Sequence, residues 1–186
     1  MRQLFLLFLS VVLLMASAKY SEANPSPGAQ QTFPVLNVTD LNGKKMTLPR
    51  DFDASYNLCL IAFSRSQQSD VITWINGTKP IIQSAGVSFY EMPTISRLPG
   101  FVRDFITAGM RRAIPDDTDR KHTITLFIDK TPFRQSLGLG TEKKIYAILV
   151  DRQGNVLWSA SGDFTNEDGE SLHESLAALN LAPRPV

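Results

Sequence analysis

Three mainly apolar runs of strand length constrain the fold of this chain more than any other feature of its sequence. They span Leu58–Phe63, Thr123–Ile128 and Ile145–Val150. A strand that is apolar at successive positions needs cover on both faces, as in the middle of a sheet. An alternating segment at Val87–Met92 adds a half-buried strand, and segments with helical spacing separate these strands. Strands that alternate with helices imply parallel pairing.

Turn signals predict two hairpins, one near each end of the chain. Asn42-Gly43 favours a tight turn between Phe33–Leu36 and a return arm at Met46–Pro49. The polar segment Asp151–Asn155 predicts a second turn, into a strand at 156–160. The second hairpin adds antiparallel neighbours to a sheet that is otherwise parallel, so the predicted sheet is mixed.

The first long helix is predicted to follow the strand that ends at Phe63. Ser66 or Ser69 is expected to cap it, and Gly77 and Pro80 are expected to interrupt or end it. In the same way Pro93 is expected to close the strand that begins at Val87.

Three further segments are predicted to be an amphipathic helix at Phe101–Ala113, a short helix at Thr131–Leu137 and a final helix from Asn166 to Leu179. Asp116–Asp119 is predicted to be a solvated loop, because it lacks the glycine and distal glutamate of an EF-hand. The predicted fold class is α/β, a three-layer sandwich in which a mixed central sheet has helices on both faces.

The N-terminus has the pattern of an export signal. Arg2 precedes an apolar stretch at Leu4–Met15, and Ala16-Ser17-Ala18 matches the small residues of a signal-peptidase site. We therefore predict an exported protein, periplasmic or secreted, with an N-terminal membrane anchor as the alternative. The predicted organisation is a signal peptide at 1–18, a flexible lead at 19–32 and one domain at 33–182.

Charge and cysteine content exclude several classes of function. The 186 residues include 19 Lys plus Arg against 18 Asp plus Glu, so no basic field indicates nucleic acid binding. Cys59 is the only cysteine and there are two histidines, which leaves no ligand set for a Cys/His zinc site and no internal disulfide. No metal, no cofactor and no nucleic acid partner are expected.

At two levels the chain resembles known families. Phe33-Pro34, Leu41–Lys44, the strand ending in Phe63 and the segment Ile148–Trp158 resemble the thioredoxin-like superfamily, especially its peroxiredoxin-like branch. More narrowly, the chain is similar to the mitochondrial ATPase-complex assembly factor family. Members of that family are thioredoxin-like chaperones that help ATP synthase assemble. The residues that carry this second resemblance include Phe63-Ser64-Arg65, Gln68, Val71, Trp74, Phe133–Leu139, Ile145-Tyr146, Trp158, Gly162 and Glu167.

The resemblance implies a redox site that this chain does not carry. Thioredoxin chemistry needs a thiolate at the start of the first long helix, where the helix dipole lowers the thiol pKa. Here that stretch is Ser64–Ser69, without cysteine, while Cys59 lies upstream within a strand. Redox-active relatives also place a cis-proline before the penultimate strand, where this chain has Glu142–Lys144. We therefore expect no catalytic residue and no enzyme activity.

Candidate binding residues lie at the start of the first helix and on the basic helix. They are Ser64, Arg65, Ser66, Gln67, Gln68, Arg103, Arg111 and Arg112. The leading hypothesis is an exported, redox-inactive protein that binds another protein, as a chaperone or assembly factor for an envelope or membrane complex, with contact to a membrane surface as a further expectation. The alternatives are a thiol-dependent oxidoreductase or peroxidase that uses Cys59, and a small-anion binder at the helix start after Phe63.

Overall fold

A computed structural model describes residues 31–181 of the chain. The predicted signal peptide and all but the last two residues of the predicted lead lie outside that range. The strands are β1 Leu36–Thr39, β2 Lys45–Leu48, β3 Tyr56–Ala62, β4 Ser88–Ser96, β5 Leu126–Ile128, β6 Tyr146–Asp151 and β7 Val156–Ser161. The helices are α1 Gln68–Ala85, α2 Gly100–Ala113, α3 Asp117–Lys121, α4 Lys130–Ser136 and α5 Asn166–Leu181.

Five strands form one mixed sheet in the order β5-β4-β3-β6-β7. β3 is parallel to β4, and β4 is parallel to β5. β6 is antiparallel to both β3 and β7. The predicted mixed sheet is confirmed, and two of the three apolar runs form its inner strands β3 and β6.

Hydrophobic clusters cover both faces of this sheet, because successive side chains of a strand point to opposite sides. Cys59 and Ile61 of β3 face one cluster, which also holds Phe133 from α4. Leu58 and Leu60 face the other cluster. The second cluster is completed by Val71 and Trp74 from α1 and by Leu172 and Leu176 from α5. Helices therefore lie on both faces, as the sequence predicts.

The first predicted hairpin forms a separate two-stranded sheet, in which β1 pairs with β2. Gly43 has a φ of 91° in its turn, a conformation that glycine adopts without steric cost. Met46 and Leu48 join the same cluster as Cys59. Gln31 and Thr32, the last residues of the predicted lead, hydrogen bond to Val156 and Ser136, so regular contacts begin two residues before the predicted domain start.

The prediction that Gly77 and Pro80 end the first helix is wrong, since α1 continues to Ala85. Proline costs α1 one backbone hydrogen bond, but Trp74 and Thr78 are buried on either side of Gly77 and keep the helix against the sheet. Neither Ser66 nor Ser69 caps α1. A turn of 3-10 helix at Arg65–Gln67 precedes α1 and places Gln67 at its N-cap.

Pro93 does not close β4, which continues to Ser96. Glu91 N–H donates to His122 O on the side of β5. Residues two apart on a strand direct their backbone groups to the same side. The backbone of Pro93, which lacks an N–H, therefore also faces β5 and not β3. The regular pairing of β4 with β5 begins only at Thr94. Pro93 therefore costs no hydrogen bond between β4 and β3.

Two predictions after α2 also need correction. Asp116–Asp119 is not a loop, because Asp116 caps the short helix α3 by accepting from Asp119 N–H at 2.9 Å. The predicted strand at Thr123–Ile128 shrinks to β5, with an isolated bridge from Thr123 to Glu91. Aspartate is a preferred N-cap residue. Because several acidic residues occur together here, this helix start was not recognised in the sequence.

The predicted amphipathic helix is present as α2, but two of its apolar residues do not face the core. None of the described residues of α2 is buried. Phe101 and Phe105 are 77% and 81% exposed. They are four residues apart and so lie on one face of the helix. Among residues 31–181, no helix is long and apolar enough to cross a membrane.

Candidate functional site

The candidate site lies at the edge of the sheet where β3 and β4 end. β3 runs through Phe63 and Ser64 into the turn that precedes α1. β6 is antiparallel to β3, and its first residue, Tyr146, pairs with Ile61. The loop before β6 therefore meets the start of α1 at this edge. This is the place where the resemblance locates thioredoxin redox chemistry.

Gln67 occupies the centre of this edge and joins its two segments. Its side chain is buried, with 5% of the residue exposed. Its Oε1 accepts from the N–H of Phe63 at 2.7 Å and from the N–H of Ser64 at 3.1 Å. Its Nε2 donates to Glu142 O at 2.9 Å. Gln67 thus satisfies backbone groups on both sides of the edge, and one amide of the predicted anion site, that of Ser64, is already bound to it.

The other predicted residues at the helix start are exposed. They are Ser64, Arg65, Ser66 and Gln68. The hydroxyls of Ser64 and Ser66 lie 2.8 Å apart and share a hydrogen bond. Hydroxyl and amide groups can donate and accept hydrogen bonds and a guanidinium group can donate them, but none of these groups can cycle through a disulfide. The chemistry of this surface is therefore that of polar recognition.

A set of charged contacts fixes the loop that carries Glu142. The Glu142 carboxylate forms an ion pair with Lys130 and lies 3.4 Å from Arg134 Nε. Arg134 Nη1 also donates to Gly140 O at 3.0 Å. The hydroxyl of Tyr146 accepts from Thr141 N–H at 2.9 Å and donates to Thr141 O at 2.8 Å. Salt bridges and backbone hydrogen bonds therefore hold this loop, which is the segment where the resemblance implies a cis-proline in redox-active proteins.

Sequence reasoning did not identify Lys130, Arg134 or Glu142 as members of the site. Glu142 is 75 positions from Gln67 along the chain, and no local pattern marks such a distant pair. In the sequence, Glu142 is marked only as part of Glu142–Lys144, the segment where the resemblance implies a proline in redox-active proteins. The structure brings this segment and the predicted residues Ser64–Gln68 together.

Cys59 lies within the sheet, away from this edge. It is in the middle of β3, paired with Tyr90 and Ile148, and 0% of the residue is exposed. Burial raises the pKa of its thiol well above the ordinary range, because a thiolate is poorly stabilised in an apolar environment. The predicted core position of Cys59 is therefore confirmed.

The three predicted arginines of α2 have different surroundings. Arg111 Nε donates to Leu41 O at 2.6 Å and so ties α2 to the turn of the first hairpin. Arg103 lines a groove beside β1 and β5. Arg112 is exposed on the face that carries Phe101 and Phe105. In the described range, no hydrogen bond or ion pair joins these arginines to Ser64–Gln68.

Acidic side chains elsewhere have structural contacts. Asp116 caps α3, and Asp53 Oδ2 lies 2.9 Å from Lys121 Nζ and 3.4 Å from His122 Nε2. Across residues 31–181, no three side chains of His, Cys, Asp or Glu are grouped so that they could hold a metal ion.

Comparison by sequence relates the chain to no known family. No family model matches it, and no curated protein is significantly similar to it.

Comparison of structures finds similar folds at low sequence identity. BsSco, a member of the Sco family of cytochrome c oxidase assembly proteins, superposes with a TM-score of 0.52 and 12% identity, covering 82% of this chain and 96% of that one. The thioredoxin domain of a thiol-disulfide oxidoreductase from Bacteroides vulgatus has a TM-score of 0.49 and 15% identity, with 80% and 98% covered. An exposed lipoprotein thioredoxin from Streptococcus pneumoniae has a TM-score of 0.48 and 15% identity, with 78% and 99% covered. From the order and direction of its strands, the helices on both faces and the likeness to BsSco, the chain has the thioredoxin-like fold.

Proposed function

We propose that this chain is an exported thioredoxin-fold protein that acts by binding another protein, without thiol chemistry. The observation that carries this proposal is the hydrogen bonding of Gln67. At the edge where relatives place reactive cysteines, its buried amide bonds to the backbone of Phe63, Ser64 and Glu142. A buried side chain that joins two segments by three hydrogen bonds supports a rigid recognition surface.

The chaperone or assembly-factor role is the finer part of this proposal. It is supported by the resemblance to the assembly factors and by the use of the same fold in BsSco, which is named as an assembly protein. Export is supported by Arg2, the apolar stretch Leu4–Met15 and the small residues that follow. An envelope or membrane complex is the partner that an exported protein of this kind would meet.

Contact with a membrane surface is a further part of the proposal and concerns α2. Phe101 and Phe105 are exposed beside Arg112, and aromatic groups next to basic ones suit an anionic lipid interface. We expect the protein to float with vesicles that contain anionic lipid, and a Phe101→Ser, Phe105→Ser double variant to float less. Equal flotation of the two proteins would contradict this part of the proposal.

Redox activity is tested directly with the purified protein. We expect no reduction of insulin disulfides and no peroxide consumption that depends on cysteine, and we expect iodoacetamide to modify Cys59 only after unfolding, because the residue is fully buried. The oxidoreductase hypothesis requires the opposite: rapid alkylation of native Cys59, and an activity that Cys59→Ala removes. That result would overturn the proposed function.

Binding at the helix start is tested by affinity capture from a native envelope extract. The variant Arg65→Glu with Gln68→Glu changes two exposed residues and leaves Gln67 intact. We expect it to lose a partner that the wild type retains, with an unchanged melting temperature. The anion-binding hypothesis instead requires that phosphate or sulfate raise the melting temperature of the wild type but not of this variant.

A further inference from the structure

Two strand edges face each other across a groove beside α2. β1 and β5 each have one neighbouring strand, β2 and β4 respectively. The segments that follow β1 and precede β5 meet where Leu41 N–H donates to both Thr123 O and Arg120 O, each at 3.2 Å. Beyond this contact the two edges separate, and the space between them is a groove of about 350 Å³ lined by residues 36–41 and 125–128.

The hydrogen bonds next to the groove show which backbone groups of β1 face it. Asp40 N–H donates to Lys44 O, towards β2, whereas Leu41 N–H donates away from β2, to Thr123. Backbone direction alternates along a strand. The N–H and C=O groups of Asn37 and Thr39 therefore point away from β2, into the groove.

The backbone groups of the opposite wall, formed by β5 and the residues before it, also alternate in direction. Ile124 N–H donates to Glu91 O, towards β4, and the register stays constant from the Thr123–Glu91 bridge to the pairing of Phe127 with Ile95. The backbone groups of Thr125 and Phe127 therefore point outward, into the groove. Two rows of backbone donors and acceptors face each other without a strand between them.

Basic side chains of α2 line the same groove. Arg103 and Arg111 contribute guanidinium groups, and Asp104 contributes one carboxylate. Arg111 uses its Nε on Leu41 O, which leaves its charge at the groove. Asp40 also lines the groove, but the residue is 1% exposed and its carboxylate accepts from two backbone N–H groups of the hairpin turn. The exposed charge that α2 brings to the groove is positive on balance and complements an acidic ligand.

We propose that an extended, acidic segment of a partner protein binds between β1 and β5 by strand addition. Its backbone would pair with the open edges at Thr39 and Phe127, and an acidic side chain would meet Arg103. Strand addition is a general mode of peptide recognition, in which backbone hydrogen bonds supply affinity and side-chain contacts supply specificity. This inference rests on the proposed protein-binding function and assigns it a surface distinct from the helix start.

The test uses a phage-displayed library of short random peptides, selected on the full mature protein. Enriched peptides are synthesised and titrated against four variants. Thr39→Pro removes an N–H that faces the groove and leaves the bonds to β2, while Thr39→Ala removes the side chain and keeps that N–H. Arg103→Glu reverses a charge in the groove, and Arg112→Glu makes the same change on the exposed face of α2.

We expect acidic peptides, rich in β-branched residues, to be enriched. Their affinity should fall about tenfold with Thr39→Pro and about fivefold with Arg103→Glu, the cost of one hydrogen bond or one charge contact, and should be unchanged with Thr39→Ala and Arg112→Glu. A selection without enrichment, or peptides that bind Thr39→Pro and Thr39→Ala equally well, would overturn the proposal. Unchanged circular dichroism and melting temperature of Thr39→Pro establish that it is folded, and Phe127→Pro paired with Phe127→Ala repeats the test on the opposite wall if it is not.

These results are separable from those for the proposed function. If the binding of the peptides depends on Arg65 and Gln68, the groove is not the binding site, while the proposed protein-binding function is still supported. A thiol activity that depends on Cys59 would refute the proposed function without changing the peptide affinities.

Discussion

At the scale of single residues, Gln67 is the side chain on which the candidate site depends most. Gln67→Ala would leave the N–H groups of Phe63 and Ser64 and the carbonyl of Glu142 without their present partner. Loss of partners for buried polar groups costs about 1–3 kcal/mol each, and water entering the vacated space reduces the sum. We expect the free energy of unfolding in urea to fall by about 2–4 kcal/mol.

The neighbouring residue supplies the control for this prediction. Gln68 has the same side chain but is exposed, so Gln68→Ala should change the free energy of unfolding by less than about 0.5 kcal/mol. Equal effects of the two substitutions would show that Gln67 does not join the start of α1 to the loop before β6.

Cys59 gives the protein a pH dependence at alkaline pH. Burial raises the pKa of its thiol in the folded protein, whereas the unfolded chain ionises at the ordinary cysteine pKa of about 8.5. Above pH about 8.5 the unfolded chain holds fewer protons than the folded protein. The contribution of the protonated Cys59 thiol to the free energy of unfolding is therefore fully present below that pH and is lost as the pH rises. We expect a loss of up to about 1.4 kcal/mol per pH unit between pH about 9 and about 10.

The Cys59→Ala variant isolates this contribution. It keeps every other titrating group, including Tyr90, whose pKa is also raised by burial. Urea unfolding at a series of pH values should therefore give a shallower slope for the variant than for the wild type. Parallel slopes would mean that the thiol is accessible in the folded protein and would weaken the case against redox chemistry.

At the scale of secondary structure, two helical glycines should respond to alanine in opposite directions. A Cβ at Gly77 in α1 would lie 2.3 Å from ring carbons of Phe164, whereas a Cβ at Gly109 in α2 would meet nothing within 4 Å. Alanine favours a helix over glycine by about 1 kcal/mol. We expect Gly109→Ala to stabilise the protein by about 0.5–1 kcal/mol.

Gly77→Ala should destabilise the protein, by about 1–3 kcal/mol, because the half-buried ring of Phe164 must move away from the helix. The ring of Phe164 packs edge-on against Trp74 at 5.2 Å between centroids, so near-ultraviolet circular dichroism should change as well. A stabilising Gly77→Ala would show that α1 and the segment after β7 do not pack in this way.

At the scale of the whole molecule, the two clusters should unfold together because one sheet separates them. Phe33 is 1% exposed and belongs to one cluster, while Trp74 and Trp158 report on the other. Phe33→Ala should lower the free energy of unfolding by about 3–5 kcal/mol. Unfolding followed by tryptophan fluorescence should show this decrease in a single transition. Val35→Ala, at a residue that is 74% exposed, should change it by less than about 0.5 kcal/mol.

A tryptophan transition that does not respond to Phe33→Ala would show that the N-terminal hairpin and its cluster unfold independently. Two separate transitions by fluorescence and far-ultraviolet circular dichroism would show the same.

The elements that could be predicted are those whose signal is local. Asn42-Gly43 and the turn at Asp151–Asn155 mark both hairpins, and the apolar runs mark β3 and β6, because turn chemistry and periodicity act within a few residues. The rules for proline failed at Pro80 and Pro93 for a common reason. Each proline removes one hydrogen bond, and whether that bond matters depends on neighbours that are distant in sequence.

Local sequence signals are enough to specify the fold class, the central strands and the position of Cys59 within β3. Three other features depend on contacts between distant segments: Gln67 turns inward to Glu142, Phe101 and Phe105 face solvent, and β1 and β5 leave a groove between them. The two groups of features differ in the range of the interactions that produce them. Burial patterns and turns are encoded by neighbours along the chain, whereas a surface that recognises a partner is assembled from segments that meet only after the sheet has formed.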